Sequence, residues 1–327
     1  MKKLIKLTAF LIISMVLVCG ISFLTDRSNY AKWITNTINP KPNEISWAKF
    51  IWGNDSLNGK FYARAFMLIP CKIEGLPYDF TFQFDLGAGI GGIYENNLKN
   101  FYGSFPDLRA RVRRFKSPLQ FWNKNKVISD IGIVFGNYRS ASSACYVLGD
   151  YGYTFNIDNP KDTFSIGTIG ADLFQNKVLI IDYPKQQFAI CDTIPAEFKC
   201  LLTDITLDRA GRVVLPMKIR NHDYRILFDN GSSLFPLITL AKNINYYSNS
   251  PDLDTISIFS WGKHHEVTGK MITDSFELGG QKFAHVKVYS NHSGYGADPD
   301  TDGMAGNALF WDKTMIIDFK NRKFGIK

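Results

Sequence analysis

An all-β fold built from two similar halves is what this sequence predicts. Two blocks of sequence recur in the same order in both halves of the chain. The segments around them are short apolar runs of strand length, and helical periodicity is weak after residue 30. Composition agrees, since aromatics make up 14% of the chain and flat side chains suit a pleated, half-buried surface. With 45% hydrophobic and 21% charged residues over 327 positions, the chain can bury two cores and is not a disordered one.

The downstream block is the clearer repeat. Gly170-Ala-Asp-Leu173-Phe174-Gln-Asn-Lys177-Val-Leu-Ile180-Ile181-Asp182 matches Gly306-Asn-Ala-Leu309-Phe310-Trp-Asp-Lys313-Thr-Met-Ile316-Ile317-Asp318, with seven of thirteen positions identical. Its continuous apolar runs, Val178 to Asp182 and Thr314 to Asp318, have the length and character of fully buried strands. Leu173-Phe174 and Leu309-Phe310, each just past a glycine, are places for one short helix per copy.

The upstream block predicts a hairpin in each copy. Leu68 to Ile73, a turn at Glu74-Gly75-Leu76-Pro77, and Tyr78 to Phe84 form the first. Val213 to Ile219, a turn near Asn221-His222-Asp223, and Tyr224 to Phe228 form the second. Each hairpin runs into Phe-Asp-x-Gly: Phe84-Asp85-Leu86-Gly87 and Phe228-Asp229-Asn230-Gly231.

The ends and joints complete the plan. Lys2, Lys3 and Lys6 precede Leu7 to Leu24, 18 residues without a charge. That is the pattern of a secretory signal, and it is also long enough for a membrane-spanning anchor. Cys19 leaves a lipoprotein signal open, although Val18 is bulky for its cleavage. Each reading exports the body of the protein to a periplasmic or extracellular location. The expected organisation is a membrane-targeting helix over 1–25, an extension over 26–60, a first lobe over 61–191, a connector over 192–212 and a second lobe over 213–327. Cys191 and Cys200 flank the connector and are candidates to close a small loop in an oxidising compartment. Cys71 and Cys145 sit in apolar runs as buried thiols.

The chemistry lies in the twinned Asp-x-Gly. One such motif is usually an Asx-type turn. Two, at the same place in two repeats, bring Asp85 and Asp229 together at a pseudo-twofold axis. Two close carboxyls cannot both ionise cheaply, so one keeps its proton while the other acts as a base on a shared water. With its downstream Gly blocks, Thr168-Ile169-Gly170 and Met304-Ala305-Gly306, the chain over 60–327 resembles the retropepsin-like and pepsin-like aspartic proteases.

The resemblance implies two aspartic-protease-like β lobes with a cleft between them. It implies a catalytic pair, Asp85 and Asp229, on turns supported by Leu86, Gly87, Ala88, Asn230, Gly231 and Ser232. It further implies a peptide or protein substrate, no cofactor and no metal, and a monomer, because one chain supplies both halves. Relatives carry Thr or Ser after the Asp, with a hydroxyl that bonds across the lobes. Leu86 has no such donor, and Asn230 is expected to donate through its amide. Trp122 and Trp261 fall where a flap over the substrate is expected, or they pack on their own lobes. The alternative to an endopeptidase is a surface-tethered binding protein that kept the cleft and lost turnover.

Other patterns are weaker. The net charge of +8 comes without a nucleic-acid-binding motif, so no nucleic-acid partner is expected. Asp298-Pro-Asp300-Thr-Asp302-Gly303 begins like a calcium loop, but Leu309 stands where its final Glu belongs, so a polar turn is expected. Asp182 and Asp318 are paired too, yet no Gly follows them, and they are read as strand-end residues.

Overall fold

A computed structural model of the chain describes residues 35–38, 44–57, 59–114, 126–158, 164–260, 263–291 and 300–327. The fold is all-β. Among these residues the strands form sheets of nine, six and ten strands, and the helices are short, such as Glu95–Lys99, Pro106–Arg111 and Ile244–Tyr247.

Both predicted hairpins form. Lys60–Ile73 pairs antiparallel with Phe80–Phe84, with Leu68 opposite Gln83 and Cys71 opposite Phe80. Val213–Ile219 pairs with His222–Phe228, with Val214 opposite Leu227. The second turn falls at Arg220-Asn221 rather than at 221–223. Both residues have positive φ, 50° and 64°, as a two-residue hairpin turn of the strand-matching hand requires. Arg220 is held there by an ion pair to Asp274 at 2.5 Å.

Each hairpin is extended in the same way in both repeats. Phe164–Ile169 runs parallel to Phe80–Phe84, and Gly92–Tyr94 lies antiparallel to it on the far side. Gly303–Ala305 runs parallel to His222–Phe228, and Leu237–Leu240 lies antiparallel to it. The strand carrying each Asp is therefore flanked by a hairpin partner and by the strand that enters the downstream Gly block. Those blocks continue into 3₁₀ turns, Ala171–Phe174 and Asn307–Leu309, where a short helix was expected.

The six-stranded sheet joins the repeats directly. Val178–Asp182 pairs antiparallel with Thr314–Asp318, with Val178 opposite Asp318, Ile180 opposite Ile316 and Asp182 opposite Thr314. Matched residues of the two blocks sit about a local twofold passing between Ile180 and Ile316. Both isoleucines are fully buried. Each contributes about 1.5–3 kcal/mol relative to an exposed side chain, which is why these positions read as continuous apolar runs. Asp182 and Asp318 close the turns that follow. Asp182 accepts from the Lys185 N–H at 3.1 Å and Asp318 from the Asn321 N–H at 2.8 Å.

The extension and the connector are more structured than their composition indicates. Trp47–Lys49 is an edge strand of the six-stranded sheet, and Ile51–Leu57 forms a hairpin with Lys60–Ile73. In the connector, Leu202–Asp204 pairs with Lys323–Ile326 and Thr206–Leu207 with Val213–Ile219. Cys191 and Cys200 are free thiols rather than a bridge. Cys200 lies against Gly325, and two strands separate that strand from the one carrying Cys191. Three inter-strand spacings, about 14 Å, exceed what a disulfide spans. Among the described residues no helix is long and apolar enough to cross a membrane. The Leu7 to Leu24 run, Cys19, Trp122, Trp261 and Asp298 lie outside the described residues.

Candidate active site

Asp85 and Asp229 stand one residue past Phe84 and Phe228, at the ends of equivalent strands. Each N–H still bonds to the neighbouring parallel strand, Asp85 to the Ile169 carbonyl at 3.0 Å and Asp229 to the Ala305 carbonyl at 2.9 Å. This fixes the backbone where each strand turns away. Each turn is then closed by its own Asp: the Ala88 N–H donates to Asp85 Oδ1 at 2.9 Å and the Gly231 N–H to Asp229 Oδ1 at 2.8 Å.

The two carboxyls meet. They lie within hydrogen-bonding reach of each other. The glycine of each turn makes room for the opposite acid. A methyl at Gly87 would lie 2.3 Å from Asp229 Cγ, and one at Gly231 would lie 2.7 Å from Asp85 Cγ. No side chain fits at either distance, so the x-Gly of each motif is a requirement for the pair.

Burial sets the protonation. Asp85 is 5% exposed, while Asp229 is more open. Burial, and after it the charge of Asp229, holds the Asp85 carboxyl well above the ordinary range. Asp229 is also pushed up by burial, but the hydrogen bond from Asp85, the N–H groups of Gly231 and Ser232 and the Arg212 charge oppose that push. Both carboxyls are therefore raised, Asp85 the more strongly, and the two titrate as a coupled pair in which the proton is favoured on Asp85.

Asn230 works through the opposite end of its amide from the one expected. Its Oδ1 accepts from the Leu86 N–H across the two turns at 2.5 Å, while its Nδ2 lies 3.7 Å from Met67 Sδ. The cross-connection thus needs no hydroxyl at residue 86, only its backbone. Leu86 itself is fully buried in the core. Behind Asn230 runs a buried network. Asn307 Nδ2 donates to the Asn230 carbonyl at 2.6 Å and to Ser233 Oγ at 2.8 Å, and Tyr183 donates to Asn307 Oδ1 at 2.6 Å. Ser232 is buried, and its hydroxyl has no protein partner among the described residues.

A cavity of about 600 Å³ adjoins the second turn. Its walls come from both repeats and from the extension, and include Phe66, Tyr94, Tyr151, Ser232, Phe235 and Ile258. Sequence reading did not single out Tyr94, Arg212, Asn307 or Tyr183. Tyr94 is bonded to Thr168 and close enough to Asp85 to feel its charge. Asn307 was visible only as a mismatch, since its repeat partner is Ala171. Among the described residues no group of three or more His, Cys, Asp and Glu side chains converges as metal ligands do. Asp302 serves the turn before Gly303, accepting from the Arg225 N–H at 2.8 Å.

A scan against protein-family models matches none to this chain, and a search of curated proteins finds no significant match.

Proposed function

We propose that the protein is an exported aspartic endopeptidase of two aspartic-protease-like lobes, with the cavity between its repeats as the substrate cleft. The observation that carries this reading is the pair of carboxyls, one from each repeat, that meet against each other's glycine, where burial and like charge favour one proton on the pair.

The chemistry follows from that proton. Asp229, the ionised member, takes a proton from a water held between the carboxyls as the water oxygen attacks the peptide carbonyl carbon. Asp85 gives its proton to the carbonyl oxygen, so the tetrahedral intermediate forms as a neutral diol. Asp229 next delivers its proton to the leaving nitrogen, the C–N bond breaks, and a diol hydroxyl returns a proton to Asp85. The products are an amine and a carboxylic acid, and the pair is restored. No cofactor enters these steps. The substrate is an extended peptide, and the N-terminal segment tethers the enzyme to a membrane or directs it outward.

The test is cleavage of a peptide mixture by the full-length chain from acidic to neutral pH. Asp85→Asn and Asp229→Asn are each expected to abolish it while the fold is kept. Cleavage that survives both substitutions would show that other residues do the work. The buried Leu86, where the aspartic proteases that the sequence resembles carry a hydroxyl, keeps a second reading in place. Binding of peptides without any turnover would favour the tethered binding protein. Membrane fractionation checks location: the full-length chain should sediment with membranes, and a chain starting at Asn29 should not.

A further inference from the structure

The connector loop before Val213–Ile219 is tightly built. Asp208, with its carboxylate 4% exposed, accepts from the N–H groups of Ala210 and Arg212, each at 2.8 Å. Its other oxygen takes Arg212 Nε at 2.6 Å and Nη2 at 2.5 Å. A guanidinium gripped along one edge in this way has little rotational freedom left.

This loop is docked on the first turn. Arg212 Nη1 reaches the Gly87 carbonyl at 3.4 Å, Ala210 lies against Gly89, and Gln175 Nε2 donates to the Gly211 carbonyl at 3.0 Å. Gly87 is the residue that packs directly on the Asp229 carboxyl. A fixed cation therefore stands behind the peptide unit touching one member of the pair. The repeat offers no counterpart. The first-repeat positions corresponding to Arg212, by the spacing of either the Asp turns or the upstream block, are Leu68 and Phe66.

We propose that Arg212 is a positioning residue of the pair: held by Asp208, it fixes Gly87 against the Asp229 carboxyl and favours the charged form of that carboxyl over that of Asp85. This rests on the reading of the pair as a catalytic dyad, and it adds a direction, with the base supplied by the second repeat and the acid by the first. On Asp229 burial is opposed by Asp85, by the Gly231 and Ser232 N–H groups and then by the Arg212 charge, whereas Asp85 is raised by burial and by Asp229, opposed by the Ala88 and Gly87 N–H groups. Among the described residues, titratable groups near the pair include Tyr94, bonded to Thr168, and Asp208, matched to Arg212 itself.

The test separates this inference from the activity. In the full-length chain with ¹³C-labelled aspartate carboxyls, the Asp229 resonance is the one lost in Asp229→Asn. Arg212→Gln should move its titration up by about one pH unit, and Arg212→Lys, which keeps the charge, should move it less. If peptides are cleaved, the acidic limb of kcat/KM should move up with it, because the base ionises later once the cation is gone. An unmoved Asp229 titration in Arg212→Gln, or an equal shift in Arg212→Lys, would overturn the role of the charge. If the lower-titrating member proves to be Asp85, the direction is wrong. Absence of peptide cleavage with the expected titration shift would instead count against the proposed function and leave this inference standing.

Discussion

The two Asp turns share a backbone and differ in their side chains. In both, the Asp N–H bonds to a parallel neighbour, the carboxyl closes its own turn, and a glycine admits the opposite acid. Beyond that the first turn is apolar, with Leu86 and Ala171 fully buried. The second turn is polar, with Asn230, Ser233, Asn307 and Tyr183 in one hydrogen-bonded network. The first turn offers a backbone N–H, and the second supplies the side chain that accepts it. One repeat can thus lose a polar residue if the other keeps a side chain able to bond to the backbone.

The comparison breaks most readily at Asn230. Asn230→Leu would make the turns alike and leave the buried Leu86 N–H without its acceptor. The expected cost is about 1–3 kcal/mol, and displacement of the acids should lower cleavage about a hundredfold. Thermal unfolding and peptide turnover would measure the two effects, and unchanged values would show that the cross-connection is dispensable.

Asn307→Ala restores the residue of the first repeat and strips the donor from Asn230 and Ser233. Stability should fall by about 1–3 kcal/mol, with Tyr183→Phe costing about 1 kcal/mol. If the residues act as one network, the double variant should cost less than the two losses added together. Full additivity in denaturant titrations would show that they act independently.

The protonation asymmetry has its own consequence for stability. The Asp85 carboxyl is raised by burial and by Asp229. A raised folded-state value means its contribution to stability is complete below the ordinary carboxylate range and is lost as pH rises through the folded value. Asp85→Asn should therefore unfold at higher temperature than the wild type near neutral pH, with the advantage shrinking in acid. Melting curves across pH would test this, and a difference independent of pH would sink it.

The smallest effect is expected from Leu86→Thr. It returns a hydroxyl to the first turn, next to a cross-connection that the backbone already makes. Cleavage should stay within a few-fold of wild type, while loss of apolar burial costs about 1–2 kcal/mol. A large gain in turnover would mean that the apolar turn limits the wild-type protein.

Much of the fold could be read from local pattern. The continuous apolar runs around Ile180 and Ile316 became buried strands because their side chains have no other low-energy place. Twin Asp-x-Gly turns at matching positions pointed to the acids for the same reason that Gly87 and Gly231 admit no side chain. Other features were illegible because their partners are distant in sequence. Nothing near Asn230 says which end of its amide meets residue 86, since that depends on the spacing of two turns 144 residues apart. The 26–60 segment looks like a linker by composition, yet part of it is strand, because Trp47–Lys49 and Ile51–Leu57 find open sheet edges supplied by other segments. Cys191 and Cys200 are near in sequence and apart in the sheet, where strand order overrides proximity along the chain. The sequence by itself determined the strands, the repeat and the two acids, through periodicity and backbone sterics that act within a few residues. Only the tertiary structure decided which groups face the acids, because the Arg212 contact with Gly87, the Asn230 acceptor and the burial that raises both carboxyls arise where separate segments meet.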